Sequence, residues 1–320
     1  MKVSLICTVL NEGKSVAALL DSILCQTRPP DEVVIVDGGS KDGTLETLRS
    51  YQGRLPLKVL VDSGCNISRG RNLAIQEASG DIIASTDAGV RLSPAWLESL
   101  LACLGREPSA AVACGFFRAD PQSTFEAALG ATTLPGVEEI DPSRFLPSSR
   151  SVAFLREAWA AAGGYPEWLD YCEDLLFDLK LRELGYGFAW APTALAHFRP
   201  RPSLTSFFRQ YYRYARGDGK AGLWRQRHAI RYSSYVIGAA AVAAGLWQPW
   251  IWLVPLAGAA AYLYQPYLRL SRQLGAMPSG QRVKAILWAP VIRSAGDIAK
   301  MLGYPVGVWW RWRRGRASRT

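Results

Sequence analysis

Charge divides this chain near residue 199. Residues 1–198 hold 17 Lys and Arg against 25 Asp and Glu, whereas residues 199–320 hold 20 against 2, within a chain whose net charge is +10. Inside the basic part, residues 232–268 form a run of 37 without a charged side chain. An acidic, water-facing front part joined to a cationic, Trp-rich, apolar back part predicts a soluble domain held against an anionic membrane. The length allows two domains, and the first 200 residues are ample for one well-buried core.

All six cysteines lie in the front part, and none forms a C-x-x-C pair or another metal-like spacing. Scattered thiols in a large domain read as reduced, which suits the cytosol. The apolar start runs straight into Asn11-Glu12 with no small-residue cleavage site, so it predicts a first strand and not a signal peptide. With only two histidines, His197 and His228, acid–base chemistry falls to carboxylates.

The front part alternates strand and helix patterns. Residues 3–9 are a continuous β-branched apolar run, as expected of a strand buried on both faces. Residues 14–26 follow with helical spacing, then a strand at 32–36, a helix at 43–51, a strand at 57–61, a helix at 70–77 and a strand at 81–85. Such β-α repeats imply a mostly parallel sheet between helices, with ligands beyond the carboxyl ends of the strands. That directs attention to Asn11-Glu12, to Asp37-Gly38-Gly39-Ser40 and to Asp87-Ala88-Gly89.

The segments V-S-L-I-C-T-V-L-N-E, V-V-I-V-D-G-G-S-K-D-G-T, S-R-G-R-N-L-A-I-Q-E and S-T-D-A-G, followed by G-G-Y-P-E and C-E-D-L-L-F-D-L-K-L-R-E-L-G-Y, appear in this order. In order and spacing they resemble the family 2 glycosyltransferases over roughly residues 1–220, and the conjunction is far more specific than any one segment. The resemblance implies the Rossmann-like GT-A fold. It also implies transfer of a sugar from a nucleotide donor with inversion at the anomeric carbon.

The same resemblance suggests roles for residues. Asn11, Glu12, Asp37, Arg71 and Asn72 would face the donor, with Asp37 and the Arg71-Asn72 pair near the nucleoside. Read on its own, Asp37 is equally a turn residue, and Arg71-Asn72 a helix start with a solvated cation. Asp87 would meet the donor diphosphate through Mg²⁺ or Mn²⁺, hard cations that prefer oxygen ligands. The family pattern is Asp-x-Asp, and here Gly89 occupies the third position. One protein carboxylate remains, so metal binding without nucleotide should be weak. As a plain turn residue, Asp87 would do none of this.

Glu173-Asp174 open a helix, where acidic residues ordinarily complement the dipole. Inverting transfer needs a base for the acceptor hydroxyl. The resemblance gives that role to Asp174, with Glu173 positioning donor or acceptor. Asp178, one turn on, reads as a surface group or a support behind them. The resemblance also implies that Arg213 and Arg216, which share a helix face at i, i+3 in an Arg- and Tyr-rich stretch, stabilise the leaving diphosphate. Lipid headgroups or a nucleic acid are the other partners such a stretch suits. Nucleic acid fits least, because the front part offers no basic surface.

In the back part, Gln248-Pro249 breaks the uncharged run into two limbs, predicting an α-helical membrane hairpin at 232–268. Arg225, Arg227 and Arg231 before it and Arg269 and Arg272 after it place both ends on the cytoplasmic side of the cell membrane. A helical hairpin buried in a soluble subunit is the alternative. Beyond it, apolar residues from Val283 to Leu302 recur at helical spacing with an interruption at Pro290, and Trp309-Trp310-Arg311-Trp312 follow, as in an interfacial helix with a basic tail.

The chain therefore divides into a GT-A domain at 1–200, a basic and aromatic linker helix at 201–231, the hairpin at 232–268 and an interfacial segment at 269–320. The expected activity is inverting transfer from a nucleotide sugar, UDP being the usual donor nucleotide, to a glycan or lipid-linked acceptor beside membrane lipids. Transfer to a polyprenyl phosphate and a catalytically silent scaffold are the rival readings.

Overall fold

A computed structural model describes every residue except Lys14, Pro108, Ala276 and 318–320, with 315–317 described only in backbone. The chain forms two compact units, one from 1–120 with 137–199 and one from 121–136 with 200–320.

The first unit is built on an eight-stranded sheet. In chain order its elements are β1 (Val3–Val9), α1 (Ser15–Leu24), β2 (Glu32–Asp37), α2 (Thr44–Ser50), β3 (Leu57–Val61), α3 (Ile67–Glu77), β4 (Ile82–Ser85), β5 (Val90–Leu92), α4 (Trp96–Arg106) and β6 (Ala110–Ala119). Helix α5 (Thr124–Thr133) then belongs to the second unit, and the first resumes with β7 (Val152–Leu155), α6 (Arg156–Ala162), α7 (Glu173–Glu183) and β8 (Gly187–Phe198). The strand order is β3-β2-β1-β4-β7-β6-β8-β5. Strands β3, β2, β1 and β4 are parallel, as the β-α repeats predict, whereas β7 runs antiparallel to both β4 and β6.

The apolar runs are continuous because both faces of these strands are covered. Val33 and Ile35 join the core layer that holds Leu19, Leu20 and Trp96, while Val34 and Val36 join the layer of Ile75, Phe154 and Phe177. Each fully buried Val, Leu or Ile contributes roughly 1.5–3 kcal/mol against exposure, so these two layers hold the sheet's central strands in place. Strand β1 runs from Val3 to Val9, and its last residue pairs with Asp37. The loops after β1, β2 and β4 therefore open on one edge of the sheet, the edge where parallel α/β sheets bind ligands.

The second unit is helical, with α5, α8 (Leu204–Ala221), α9 (Arg225–Ala244), a 3-10 turn at Pro249–Trp252, α10 (Leu253–Leu274) and α11 (Ser279–Ala317). Helices α8 and α11 approach closely at Gly219, Gly303 and Gly307, where an added Cβ would overlap backbone atoms of the facing helix. Pro290 and Pro305 lie within α11 without ending it, contrary to the interruption expected at Pro290. Each proline frees the carbonyl four residues back. The Tyr267 hydroxyl donates to the Ile286 carbonyl at 3.2 Å and the Tyr232 hydroxyl to the Met301 carbonyl at 2.6 Å, which replaces both lost bonds.

The expected membrane hairpin at 232–268 is overturned: no helix among the described residues is long and apolar enough to cross a membrane. Helix α9 begins at Arg225 and includes Arg227 and Arg231, leaving 13 uncharged residues from 232 to 244. That stretch reaches about 20 Å against a hydrocarbon core of about 30 Å. Helix α10 contains Gln265 and Pro266 and ends through Arg269 and Arg272. The uncharged run is real, but Ala, Gly, Ser and Tyr make it only weakly hydropathic, and the helix boundaries draw the flanking arginines in.

Candidate functional site

The loops after β1 and β2 are tied together by short polar side chains. Asp37 is buried, and its Oδ1 accepts from the Gly39 and Ser40 amides at 3.1 and 2.9 Å and from the Ser40 hydroxyl at 2.7 Å. Its Oδ2 is also buried and has no hydrogen-bond partner among the described residues. A buried carboxylate oxygen left unmatched is costly, so it marks a position that a ligand donor would complete. Gly39 has φ +96, and a Cβ there would press to 3.0 Å on Ser63 Oγ, so this turn requires glycine.

Asn11 adopts φ 54, a left-handed conformation that Asn tolerates. Its amide donates to Ser40 Oγ at 2.8 Å and its Oδ1 accepts from the Lys41 amide at 2.9 Å. Glu12 donates its amide to Thr44 Oγ1 at 3.0 Å, and its Oε2 accepts from Ser15 Oγ at 2.7 Å. The same Oε2 lies 3.7 Å from where a Cβ on Gly89 would be, which brings Glu12 beside the loop after β4.

Arg71 is the centre of the cluster. Helix α3 is capped by Asn66, whose Oδ1 accepts from the Arg69 amide at 2.9 Å. From its second turn Arg71, 2 % exposed, reaches Glu173 Oε1 at 2.7 Å and Asp87 Oδ1 at 3.0 Å. Arg150 approaches the other Asp87 oxygen, Oδ2, at 3.4 Å and lies 4.0 Å from the centre of the Phe198 ring. Next to Arg71, Asn72 uses its amide completely. Nδ2 donates to the Tyr165 carbonyl and Glu167 Oε1, while Oδ1 accepts from the Tyr165 amide and Trp159 Nε1. Asn72 thus clamps the G-G-Y-P-E segment against α3.

Helix α7 supplies the acids. Cys172, with φ 67, turns the chain so that Glu173 and Asp174 occupy the first turn. Burial raises the Glu173 carboxyl to about 7, and the neighbouring Asp174 adds to this against the pull of Arg71. One guanidinium shared between Glu173 and Asp87 does not fully compensate a buried carboxylate. Burial lowers the tendency of Arg71 to stay charged, but Glu173 and Asp87 together more than offset it and hold its pKa above the ordinary value. Asp174 is half-buried, with Oδ1 accepting from the Leu175 amide at 2.8 Å. Asp178, one of whose expected places was the surface, is instead buried, with Oδ2 unmatched. Burial and then the charge on Asp174 push its carboxyl well above the carboxylate range.

The structure therefore joins Arg71, Asp87 and Glu173 directly, links Asn11 to the Asp37 turn through Ser40, and brings Glu12 beside Gly89. Arg213 and Arg216 belong to α8 of the second unit. Arg150 was not legible in the sequence: it stands in S-S-R-S-V, outside every recognisable segment, and only the antiparallel placement of β7 beside β4 carries it to Asp87.

The donor set for a divalent ion fits poorly. Both Asp87 oxygens face guanidinium groups, Gly89 offers no ligand, and the described residues hold no group of three His, Cys, Asp or Glu side chains able to bind a metal.

Comparison with known proteins resolves the class. Residues 4–149 match Glycosyl transferase family 2, and residues 91–279, more than half the chain, match Glycosyl transferase family group 2. The chain belongs to glycosyl transferase family group 2. Similar proteins include the succinoglycan biosynthesis protein ExoA of Rhizobium meliloti, 27% identical over 66% of this chain and 67% of ExoA. The O-antigen chain rhamnosyltransferase RfbN of Salmonella typhimurium is 24% identical over 65% of this chain and 71% of its own. Among solved structures, the mannosyltransferase PcManGT from Pyrobaculum calidifontis, in complex with GDP-Man and Mn²⁺, superposes with a TM-score of 0.58 at 21% identity, over 94% of this chain and 87% of that one. At that identity the likeness establishes the GT-A-like fold of this glycosyltransferase.

Proposed function

We propose that this glycosyltransferase moves a sugar from a nucleoside-diphosphate donor to an acceptor hydroxyl with inversion, using Asp174 as the base. The observation that carries the reading is Arg71, which holds Asp87 from the β4 loop and Glu173 from α7 at one sheet edge. Asp37 Oδ2 is the acceptor oxygen left for the nucleoside. Arg150, more exposed than Arg71, is the cation that meets the diphosphate beside Asp87. Glu173 fixes the helix start that presents Asp174. The acceptor oxygen forms its bond to the anomeric carbon as the bond to the diphosphate breaks on the opposite face. The acceptor proton goes to Asp174, and the diphosphate leaves with the bonding electron pair. No step is assigned to Mg²⁺ or Mn²⁺, because Asp87, the carboxylate expected to meet the ion, has both oxygens facing guanidinium groups.

Donor screening with UDP- and GDP-sugars, followed by single-turnover transfer with Asp174→Asn, tests the reading. Native-rate transfer by that variant would remove the base. It would also favour a phosphate acceptor such as a polyprenyl phosphate, whose oxygen needs no deprotonation. Retained donor binding without transfer or hydrolysis in the native protein would favour the silent scaffold.

We infer further that the second unit works against an anionic lipid surface, on the cytoplasmic face of the cell membrane, without crossing it. Leu246, Trp247, Trp250, Leu253 and Leu256 are strongly exposed around the turn between α9 and α10, while Arg225 and Arg227 stand in the first turn of α9 and Arg269 and Arg272 near the end of α10. Exposed Trp and Leu clustered at one turn suit insertion at a lipid interface, and a unit rich in arginine is attracted to anionic headgroups. Co-flotation with phosphatidylglycerol vesicles that is kept by Trp247→Ser/Trp250→Ser would overturn this assignment.

A further inference from the structure

Within the second unit, a cavity of about 70 Å³ opens between the end of α5, the first turns of α8 and the middle of α11. At about 30 Å³ per water it holds roughly two, comparable to one tetrahedral oxyanion, and it is far smaller than the 300 Å³ or more of a cofactor-sized site. Arg293 and Lys300, one on each side of Asp297 along α11, both line it.

The charge in this cavity is unbalanced. Asp297, its one carboxylate, is already engaged: Oδ1 takes Arg231 Nε at 2.8 Å and Oδ2 takes the Tyr262 hydroxyl at 2.5 Å. Arg293 Nε is buried with no hydrogen-bond partner among the described residues, and its guanidinium lies 4.6 Å from the centre of the Tyr262 ring. The Lys300 ammonium lies 4.8 Å from the centre of the Tyr211 ring. Neither forms an ion pair among the described residues, where the Asp297 partner is Arg231. The Thr132 and Thr133 hydroxyls donate to the Ala128 and Leu129 carbonyls, which leaves Arg293 and Lys300 as the cationic side chains among the lining residues.

Burial first, then repulsion from Arg231 and Arg293, lowers Lys300 to about 8, against the opposing pull of Asp297 and Asp218. Two cations around a space for one tetrahedral group match a phosphoryl dianion in charge and in hydrogen-bonding type.

We propose that this cavity binds a phosphoryl dianion, either inorganic phosphate or the terminal phosphate of a monoester, between Arg293 and Lys300. The site is separate from the donor site in its residues and does not depend on the proposed transfer reaction.

The test uses the full chain and no sugar donor, so its failure leaves the transfer reading intact. Inorganic phosphate, titrated against sodium chloride at equal ionic strength, should raise Tm saturably. Lys300→Met should weaken the apparent affinity about 10- to 100-fold, and Lys300→Arg should recover most of it. An equal shift with chloride, or undiminished phosphate affinity in Lys300→Met, overturns the proposal. Should Lys300→Met not fold, acetic anhydride labelling of the native chain decides: phosphate should protect Lys300, and unprotected labelling overturns the site. Flotation with phosphatidic acid vesicles, reversed by inorganic phosphate, identifies a lipid headgroup as the source. Phosphate binding without such flotation identifies a soluble phosphate.

Discussion

Arg71 and Glu173, separated by 102 positions in the chain, meet at 2.7 Å in a buried ion pair, and the same guanidinium holds Asp87. Arg71→Met should therefore leave two carboxylates without their shared cation and cost about 3–5 kcal/mol in urea unfolding. Arg71→Lys should rescue little, because one ammonium does not reproduce a planar fork serving two acids. Native-like unfolding of Arg71→Met would show that the cluster is not a keystone.

The raised Glu173 carboxyl sets a pH dependence. Below about 7 Glu173 takes up a proton and its hold on Arg71 weakens, so kcat/KM should fall as pH drops through that value. Glu173→Gln should be slower and should lose this limb of the profile. An unchanged limb in the variant assigns the ionisation to another group.

Asp178 gives a stability signature of definite sign. Its folded pKa is above the unfolded one, so the fold is favoured with the proton on. That stability is fully present below the unfolded value of about 4 and is lost as pH rises toward the folded value. Asp178→Asn should match the native Tm near pH 4 and exceed it at pH 7–8. Equal melting at both pH values would contradict a buried neutral carboxyl.

Gly164 has φ +80, and a Cβ there would come within 2.9 Å of Asn72 Oδ1. Gly164→Ala should cost about 1–3 kcal/mol and, by moving Asn72 off the Tyr165 and Trp159 groups that donate to it, lower activity more than stability alone explains. Paired melting and rate measurements check this.

Because both Asp87 oxygens face guanidinium groups, Mn²⁺ alone should show no saturable binding at micromolar concentrations in calorimetry. Tight binding that Asp87→Asn abolishes would overturn the poor fit described above. Arg150→Ala should raise KM for the donor while leaving the fold intact, since the side chain is partly exposed.

The sheet's parallel half was legible because period and composition are local. A β-branched apolar run such as 3–9 states that both faces of its strand are covered. The loops after β1, β2 and β4, and the acids Glu173 and Asp174, followed from that order of elements and from ordered short segments. Lack of charge at 232–268 was legible too, but it is not the same as apolarity. Whether a run crosses a membrane depends on where helices begin, and α9 begins at Arg225.

Tertiary structure alone decided which charges meet. Arg150 reaches Asp87 because β7 runs antiparallel beside β4, and α5 leaves the first unit to line a cavity with α8 and α11. Asp178 became a buried acid because α7 packs its Phe177 and Leu181 into a core layer whose other members come from distant strands. Local pattern fixes the conformation of each segment through torsion and burial preferences. Pair energies between charges instead depend on distances and dielectric surroundings that exist only once those segments have packed.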